Sequence, residues 1–204
     1  MNASECQTLV KTNVSVLEKL YVEFSSHFYE KAGSHLFNLK RTSITSLANN
    51  AKMLDYTMLY RSELSNWLKP DIVLTKLALA EESKCKLGYR TKLEDSLLYK
   101  IKWYMGRQDT FYVLKSINDL FGARIIIPGF QEFEQETYNY YKSKEDERVR
   151  RCYIRDDEPS YHGLHLYIGS SNEEFPWELQ IWDSGKEENN LKSHAYHEQK
   201  KEAV

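Results

Sequence analysis

Apolar residues recur at helical spacing in the first third of the chain, which predicts a helix-rich N-terminal region. One stripe, with alternating gaps of four and three residues, consists of Val10, Val14, Leu17, Tyr21, Phe24 and Phe28. This stripe predicts a long amphipathic helix that ends near Gly33. A second helical region covers residues 46–68 and ends before Pro70, and its apolar contacts are Leu54, Met58 and Leu64. The pattern of residues 71–84 does not separate helix from strand.

From Arg124 onward the apolar pattern changes to short runs that are rich in β-branched and aromatic residues. Polar segments separate four such runs, which are RIIIPG, VRRCYIR, LHLYIG and WELQIW. This pattern is typical of β-strands. We therefore predict an α/β (α+β) fold with a mixed sheet of about five strands, flanked by helices. Residues 1–83 would form a helical region that packs on or regulates a core of residues 84–204, and the two could make one compact domain.

Composition and charge narrow the classes of function. With 28 basic and 30 acidic side chains among 204 residues the formal net charge is −2, so any anion site must be local. Three scattered cysteines, Cys6, Cys85 and Cys152, fit neither a disulfide framework nor a zinc site and indicate a reducing compartment. We find no leader-like start and no apolar stretch of roughly 18 residues, so we expect a cytoplasmic protein without a membrane segment.

The segment LGYRTKLEDSLLYKIKW, residues 87–103, concentrates cations in this nearly neutral chain. On a helix that begins near Lys92, the side chains of Lys92, Ser96 and Lys100 would share one face. The buried side of that helix would consist of Leu93, Leu97, Leu98 and Ile101. The polar face could bind an anion, or it could be an ordinary solvated charged surface.

Two carboxylates follow in contexts that suit a catalytic site. Asp119 precedes the first predicted strand, where it could bind Mg²⁺ or simply cap a turn. Strand alternation places Glu178, Gln180 and Trp182 on one face of WELQIW, which could be a cavity wall or the polar side of an edge strand. Two carboxylates with a divalent ion opposite a basic helix suit phosphoryl-type transfer.

These pieces occur together in a known order. The chain contains YRTKLEDSLLYK, similar to R-x-K-x-x-x-S-x-x-x-K; DLFGAR, similar to D-x-x-G-x-R; SYHGLH, similar to G-Y-x-S-L-H; ELQIW, similar to an E-x-Q strand; and HEQKK, similar to H-x-x-Y-K. In this combination residues 85–201 resemble the synthetase domain of the RelA/SpoT alarmone enzymes, specifically the small stand-alone alarmone synthetases and their toxin relatives.

The resemblance implies a nucleotidyltransferase-like fold and transfer of the β,γ-pyrophosphate of ATP to a ribose 3′-hydroxyl. With GDP or GTP as acceptor the products would be (p)ppGpp and AMP. The implied ATP site consists of Arg90, Lys92, Ser96, Lys100 and Arg124. Asp119 would hold Mg²⁺, Glu178 would complete the metal site or take the proton of the hydroxyl, and Gln180 would orient that hydroxyl. The implied acceptor site consists of Tyr161, which would stack on the base, with His165, His197 and Arg155.

The acceptor side departs from the family pattern. Acidic residues of RDDEPSY stand where family members carry a lysine-bearing segment, so the acceptor is left open. The 3′ end of tRNA or an adenosine nucleotide is an alternative, and residues 84–107 carry seven cations against two acids. A nucleotide sensor or interaction module without catalysis is a further alternative. No His-Asp dipeptide of the family's hydrolase half occurs, so another protein would remove the product. An antitoxin partner is therefore a hypothesis, and the oligomeric state is open.

Overall fold

The structure, a computed structural model, describes residues 2–32, 36–68, 85–143, 149–157 and 160–202, without the side chains of 194 and 197–202. Within these ranges it contains seven α-helices and one five-stranded sheet. The helices are α1 Ala3–Ala32, α2 Ile44–Ala48, α3 Ala51–Trp67, α4 Glu94–Met105, α5 Val113–Ser116, α6 Glu134–Ser143 and α7 Glu187–Glu202. The strands are β1 Lys86–Thr91, β2 Phe121–Ile127, β3 Val149–Asp157, β4 Tyr161–Ile168 and β5 Trp177–Asp183.

The sheet is mixed, with the strand order β1-β2-β5-β4-β3. The β2–β5 pair is parallel and the other three pairs are antiparallel. The predicted α/β class with a mixed sheet is confirmed, and the four predicted apolar runs correspond to β2, β3, β4 and β5. Because β5 lies at the centre of the sheet, the interpretation of WELQIW as an edge strand is wrong.

The long helix α1 buries the predicted apolar stripe against the sheet. All six residues of the stripe are buried. The rings of Tyr21 and Trp177 meet edge to face with centroids 5.4 Å apart, and this contact joins α1 to β5. One hydrophobic cluster contains residues of α1, α3 and four strands of the sheet. The predicted end at Gly33 lies outside the described residues.

The second helical region is divided in two at Asn49 and Asn50. The Asn50 side chain caps α3 by accepting a hydrogen bond from the Met53 N–H at 3.1 Å, and Ser43 caps α2 in the same way. An asparagine at this position therefore starts a new helix where the apolar spacing suggested one continuous region. Pro70 and residues 71–84 lie outside the described part of the chain. None of the described helices is both long and apolar enough to span a bilayer.

The basic segment differs from its prediction at one end. Residues 86–91 form the strand β1, and the helix begins at Glu94, so Lys92 lies in the turn between them. Leu93 is 69% exposed as the residue preceding the helix, whereas Leu97 and Ile101 are buried. Lys92 and Lys100 therefore do not share a helical face, and only tertiary contacts can hold their side chains close together.

Candidate active site

A cavity of about 620 Å³ opens on the face of the sheet that carries the polar side chains. Its walls come from the end of β1 and the turn after it, from α4 and α7, from the segment before β2 and from alternate residues of β3, β4 and β5. Strand alternation explains this arrangement, because Glu178 and Gln180 point into the cavity while Leu179 and Ile181 join the core on the other face. The predicted division of β5 into two faces is therefore confirmed.

Cationic side chains dominate the charge of the cavity. The six that line it are Arg90, Lys92, Lys100, Lys115, Arg151 and Arg155. The two carboxylates that line it are Asp119 and Glu178, so the formal excess is four positive charges. Since the whole chain has a net charge of −2, this excess is local, as the sequence predicted.

Asp119 sits between the two predicted phosphate-binding lysines. Lys92 Nζ donates to its Oδ2 at 2.7 Å and Lys100 Nζ donates to its Oδ1 at 2.9 Å. The Lys92 side chain is only 6% exposed and the Asp119 side chain 13%. Burial opposes the charge of Asp119, but the two ammonium groups outweigh it and hold its pKa well below the usual range. Burial also lowers the pKa of Lys92, against the attraction of Asp119.

Glu178 accepts three hydrogen bonds from its neighbours. Its Oε1 accepts from His165 Nδ1 at 2.9 Å and from the Tyr167 hydroxyl at 2.7 Å, and its Oε2 accepts from Gln180 Nε2 at 2.9 Å. Burial alone would raise the pKa of Glu178, but the hydrogen bond and attraction of His165, with help from Tyr167, lower it to about 2. Glu178 is therefore a fixed anion at neutral pH.

The hydrogen bonds on the other side of His165 determine its tautomer. Trp182 Nε1 can only donate, and it donates to the Tyr161 hydroxyl at 3.0 Å. Tyr161 then has its single proton for His165 Nε2, which lies 2.8 Å away. A neutral His165 consequently carries its proton on Nδ1 and donates it to Glu178. The side chains of His165, Tyr167 and Gln180 thus orient the Glu178 carboxylate.

Of the three remaining residues of the predicted ATP site, one lines the cavity and two do not. Arg90 lines the cavity with the two lysines. Arg124 lies on β2 and is not among the residues that line the cavity. Its guanidinium carbon is 3.6 Å from the ring centroid of Trp182, and it donates two hydrogen bonds of 3.3 Å to Gln180 Oε1. Burial and the neighbouring Arg90 lower the pKa of Arg124. Ser96 lies on α4 and is not among the lining residues.

Three of the four predicted acceptor residues line the cavity, namely Tyr161, His165 and Arg155. Tyr161 is only 2% exposed, and the Arg155 guanidinium lies 4.8 Å from its ring centroid. Arg155 also forms a 2.6 Å ion pair with Asp157, one of the acids that distinguish this segment. The side chain of His197 lies outside the described residues.

The sequence did not single out Arg151, Tyr153 or Tyr167 as site residues, although all three line the cavity. Arg151, Tyr153 and Arg155 alternate along β3, and Tyr167 follows His165 by two residues on β4. The period-two spacing could have identified them, because they lie on the same strand face as Arg155 or His165. What it could not show is that the rings of Tyr153 and His165 stack, with centroids 5.1 Å apart.

The donor set of the cavity fits a hard divalent cation that also binds substrate phosphates. Within the described residues no group of three or more His, Cys, Asp or Glu side chains could hold a metal by itself. Mg²⁺ commonly uses one or two carboxylates and completes its coordination with water and phosphate oxygens. The oxygens of Asp119 and Glu178 keep acceptor capacity beyond the bonds described above, because each carboxylate offers about four lone-pair sites.

Most cations of residues 86–107 already have partners inside the protein. Lys86 pairs with Glu187 at 2.7 Å, Lys92 and Lys100 pair with Asp119, and the Arg107 guanidinium lies over the Trp103 ring. The local excess of positive charge in the sequence therefore serves internal contacts and the cavity more than it forms an outer basic surface.

The chain matches no protein-family model, and it matches none of the curated proteins. Solved structures to which it is similar include small alarmone synthetase 2 from Bacillus subtilis, at 17% identity and a TM-score of 0.41, covering 72% of this chain and 82% of that chain. Small alarmone synthetase 1 from Bacillus subtilis is similar at 17% identity and a TM-score of 0.40, covering 72% and 78%.

Proposed function

We propose that this protein is a pyrophosphokinase that transfers the β,γ-pyrophosphate of ATP to the ribose 3′-hydroxyl of GDP or GTP, producing (p)ppGpp and AMP. The observation that carries the proposal is the cavity itself, in which six cations surround two carboxylates that neighbouring side chains hold ionised. An excess of positive charge in a concave site suits a polyphosphate ligand, and the carboxylates suit the metal that accompanies it.

The cations would bind the triphosphate of ATP. Lys92 and Lys100 come from different elements and converge on one point, so a phosphate that enters between them can replace Asp119 as their partner. Arg90 lies in the same cavity and offers a planar fork of donors to phosphate oxygens. Asp119 and Glu178 would hold Mg²⁺, which, when bound, neutralises charge on the phosphates.

The reaction requires an in-line geometry more than a strong base. The 3′-oxygen attacks the β-phosphorus and its proton passes to solvent, while the bond from that phosphorus to the oxygen bridging to the α-phosphate breaks and AMP leaves with that oxygen. A carboxylate with a pKa of about 2 is a weak base, so Glu178 would act mainly by orienting the hydroxyl and by electrostatic stabilisation. Its three hydrogen bonds hold it in one position for this task.

The proposal is tested by transfer of label from γ-labelled ATP, with Mg²⁺, to GDP, GTP, adenosine nucleotides or tRNA. We expect label in a guanosine nucleotide and release of AMP, both reduced at least about 100-fold in Glu178→Ala. Label in tRNA or an adenosine nucleotide would assign a different acceptor. ATP binding without AMP release in the presence of every acceptor would replace the proposal with a nucleotide sensor.

A control variant at a carboxylate outside the cavity separates the role of Glu178 from the general effect of removing a carboxylate. Glu63 is a partly exposed carboxylate that pairs with Lys31 at 2.9 Å, outside the residues that line the cavity. Glu63→Gln should retain the wild-type rate, because it removes a carboxylate that lies outside the cavity. Equal losses in Glu63→Gln and Glu178→Ala would contradict the assignment of Glu178.

A further inference from the structure

One exposed aromatic residue stands out among those that line the cavity. Trp103 is 42% exposed, although the other large aromatic residues of the site are mostly covered. Tyr99 and Trp103 are separated by four residues on α4, and both line the cavity. Arg107 follows after four more residues, and its guanidinium carbon lies 3.7 Å from the ring centroid of Trp103. Arg107 lies beyond the end of α4 and covers one face of the indole, and the Tyr104 ring meets the indole edge to face with centroids 4.9 Å apart.

The other aromatic rings have less surface to offer. Tyr161, His165 and Tyr167 are at most 4% exposed, and their polar atoms are engaged in the hydrogen bonds that orient Glu178. Tyr153 stacks on His165 with the ring planes 8° apart. Tyr104 packs against Phe111 with centroids 4.7 Å apart. A base that entered the cavity would find its largest accessible aromatic surface at Trp103.

We propose that Trp103 is a platform on which a nucleobase stacks in this cavity. This inference rests on the proposed function, because it assumes that the cavity binds nucleotides. An indole is the largest aromatic surface a side chain can offer, and base stacking on such a ring is tolerant of base identity. Arg107, on one face of the ring, strengthens the site by a cation–π contact. The base could belong to ATP or to the acceptor, and the two sources are separated by experiment.

Binding of single nucleotides to the full chain provides the first test. The probes are GDP and α,β-methylene-ATP, whose α–β bridge cannot be cleaved, with calorimetry as the readout. In Trp103→Leu the Kd of one probe should rise by roughly 5- to 150-fold, the contribution of one stacked base. The Trp103→Phe variant should lie between wild type and Trp103→Leu, because a smaller aromatic ring still stacks. The probe that loses affinity identifies the source of the base.

A matched control is Tyr196→Leu, since Tyr196 is an aromatic residue of α7 that is 55% exposed and does not line the cavity. Both Kd values should be unchanged in this variant. A spectroscopic test is independent of affinity, because Trp177 and Trp182 are fully buried and Trp67 is packed against Phe24. Saturating nucleotide should quench tryptophan fluorescence in wild type, and this quenching should disappear in Trp103→Phe.

The inference and the proposed function fail in different ways. Wild-type Kd values for both probes in Trp103→Leu, with label transfer intact in wild type, would overturn the stacking role alone. Equal losses of affinity in Trp103→Phe and Trp103→Leu would also overturn it, because an aromatic ring would then be irrelevant. Wild-type protein that binds neither probe and transfers no label would overturn the proposed function, and the stacking role with it.

Discussion

The buried pairing of Asp119 with two lysines makes Asp119→Asn the most informative single change. Asparagine keeps the shape of the side chain and removes its charge, so Lys92 and Lys100 would face each other without a counter-ion. The change should weaken the fold of the ligand-free protein and abolish turnover. It should also make ATP binding less dependent on metal, because phosphates would no longer compete with a carboxylate for the lysines.

The expected loss of stability follows from the burial of the pair. Removing one partner of a buried ion pair typically costs about 3–5 kcal/mol, whereas an exposed pair contributes at most about 1 kcal/mol. The lower end applies here, because the Lys100 side chain is 21% exposed and burial already lowers the pKa of Lys92, which can release its proton. We therefore expect the free energy of unfolding to fall by about 3 kcal/mol, which corresponds to a decrease of roughly 6–12 °C in Tm for a chain of this size.

Thermal unfolding with and without ATP, in the presence of a metal chelator, measures both effects. Asp119→Asn should unfold at a lower temperature than wild type, and ATP should raise its Tm by more than it raises that of wild type. Glu63→Gln is the control for a pair of similar distance but greater exposure, and it should shift Tm by no more than about 4 °C. Equal Tm values for Asp119→Asn and wild type, or equal responses to ATP, would refute the argument.

Three further substitutions, Glu178→Gln, Gly163→Ala and Tyr60→Phe, test other contacts of the structure. Because folding lowers the pKa of Glu178 from 4.5 to about 2, its ionised form stabilises the fold above pH 4.5. About 3 kcal/mol of the free energy of unfolding is lost as the pH falls from 4.5 to about 2. Urea unfolding of Glu178→Gln should therefore depend less on acid than that of wild type, and parallel pH profiles would contradict this. Gly163→Ala should cost about 1–3 kcal/mol, because its Cβ would lie 2.8 Å from Trp182 Cδ1. Gly88→Ala, with no atom within 4 Å of its Cβ, is the matched control, and a reversed order of urea midpoints would exclude the steric explanation. Tyr60→Phe should cost about 1–3 kcal/mol by leaving the buried Trp177 Nε1 without its 3.0 Å acceptor, which an unchanged urea midpoint would disprove.

Local periodicity predicted the elements whose apolar residues repeat clearly. The six-residue stripe of α1 is buried, and the four apolar runs are strands. The alternation in WELQIW also predicted that Glu178 and Gln180 share one face of β5, and both line the cavity. These successes share one cause, because a helix or strand that is buried on one face must repeat its apolar residues with its own period.

Elements without such a repeat were missed or misplaced. The strand β1 is a polar edge strand in which exposed and half-buried residues alternate, and the apolar pattern of the sequence did not predict it. The two asparagines that divide α2 from α3 act through capping, which apolar spacing does not register. The central position of β5 depends on strand order, and no feature within β5 encodes it.

By itself, the sequence determined the α/β class, the long N-terminal helix and the residue types available for phosphate chemistry, because these depend on local periodicity and composition. Only the tertiary structure decided which of those residues meet. Lys92 and Asp119 are 27 positions apart and form a 2.7 Å contact because β1 pairs with β2. Tyr161 became a buried hydrogen-bond partner of His165, while Trp103 kept an exposed ring, because burial is set by how the strands and α4 pack together.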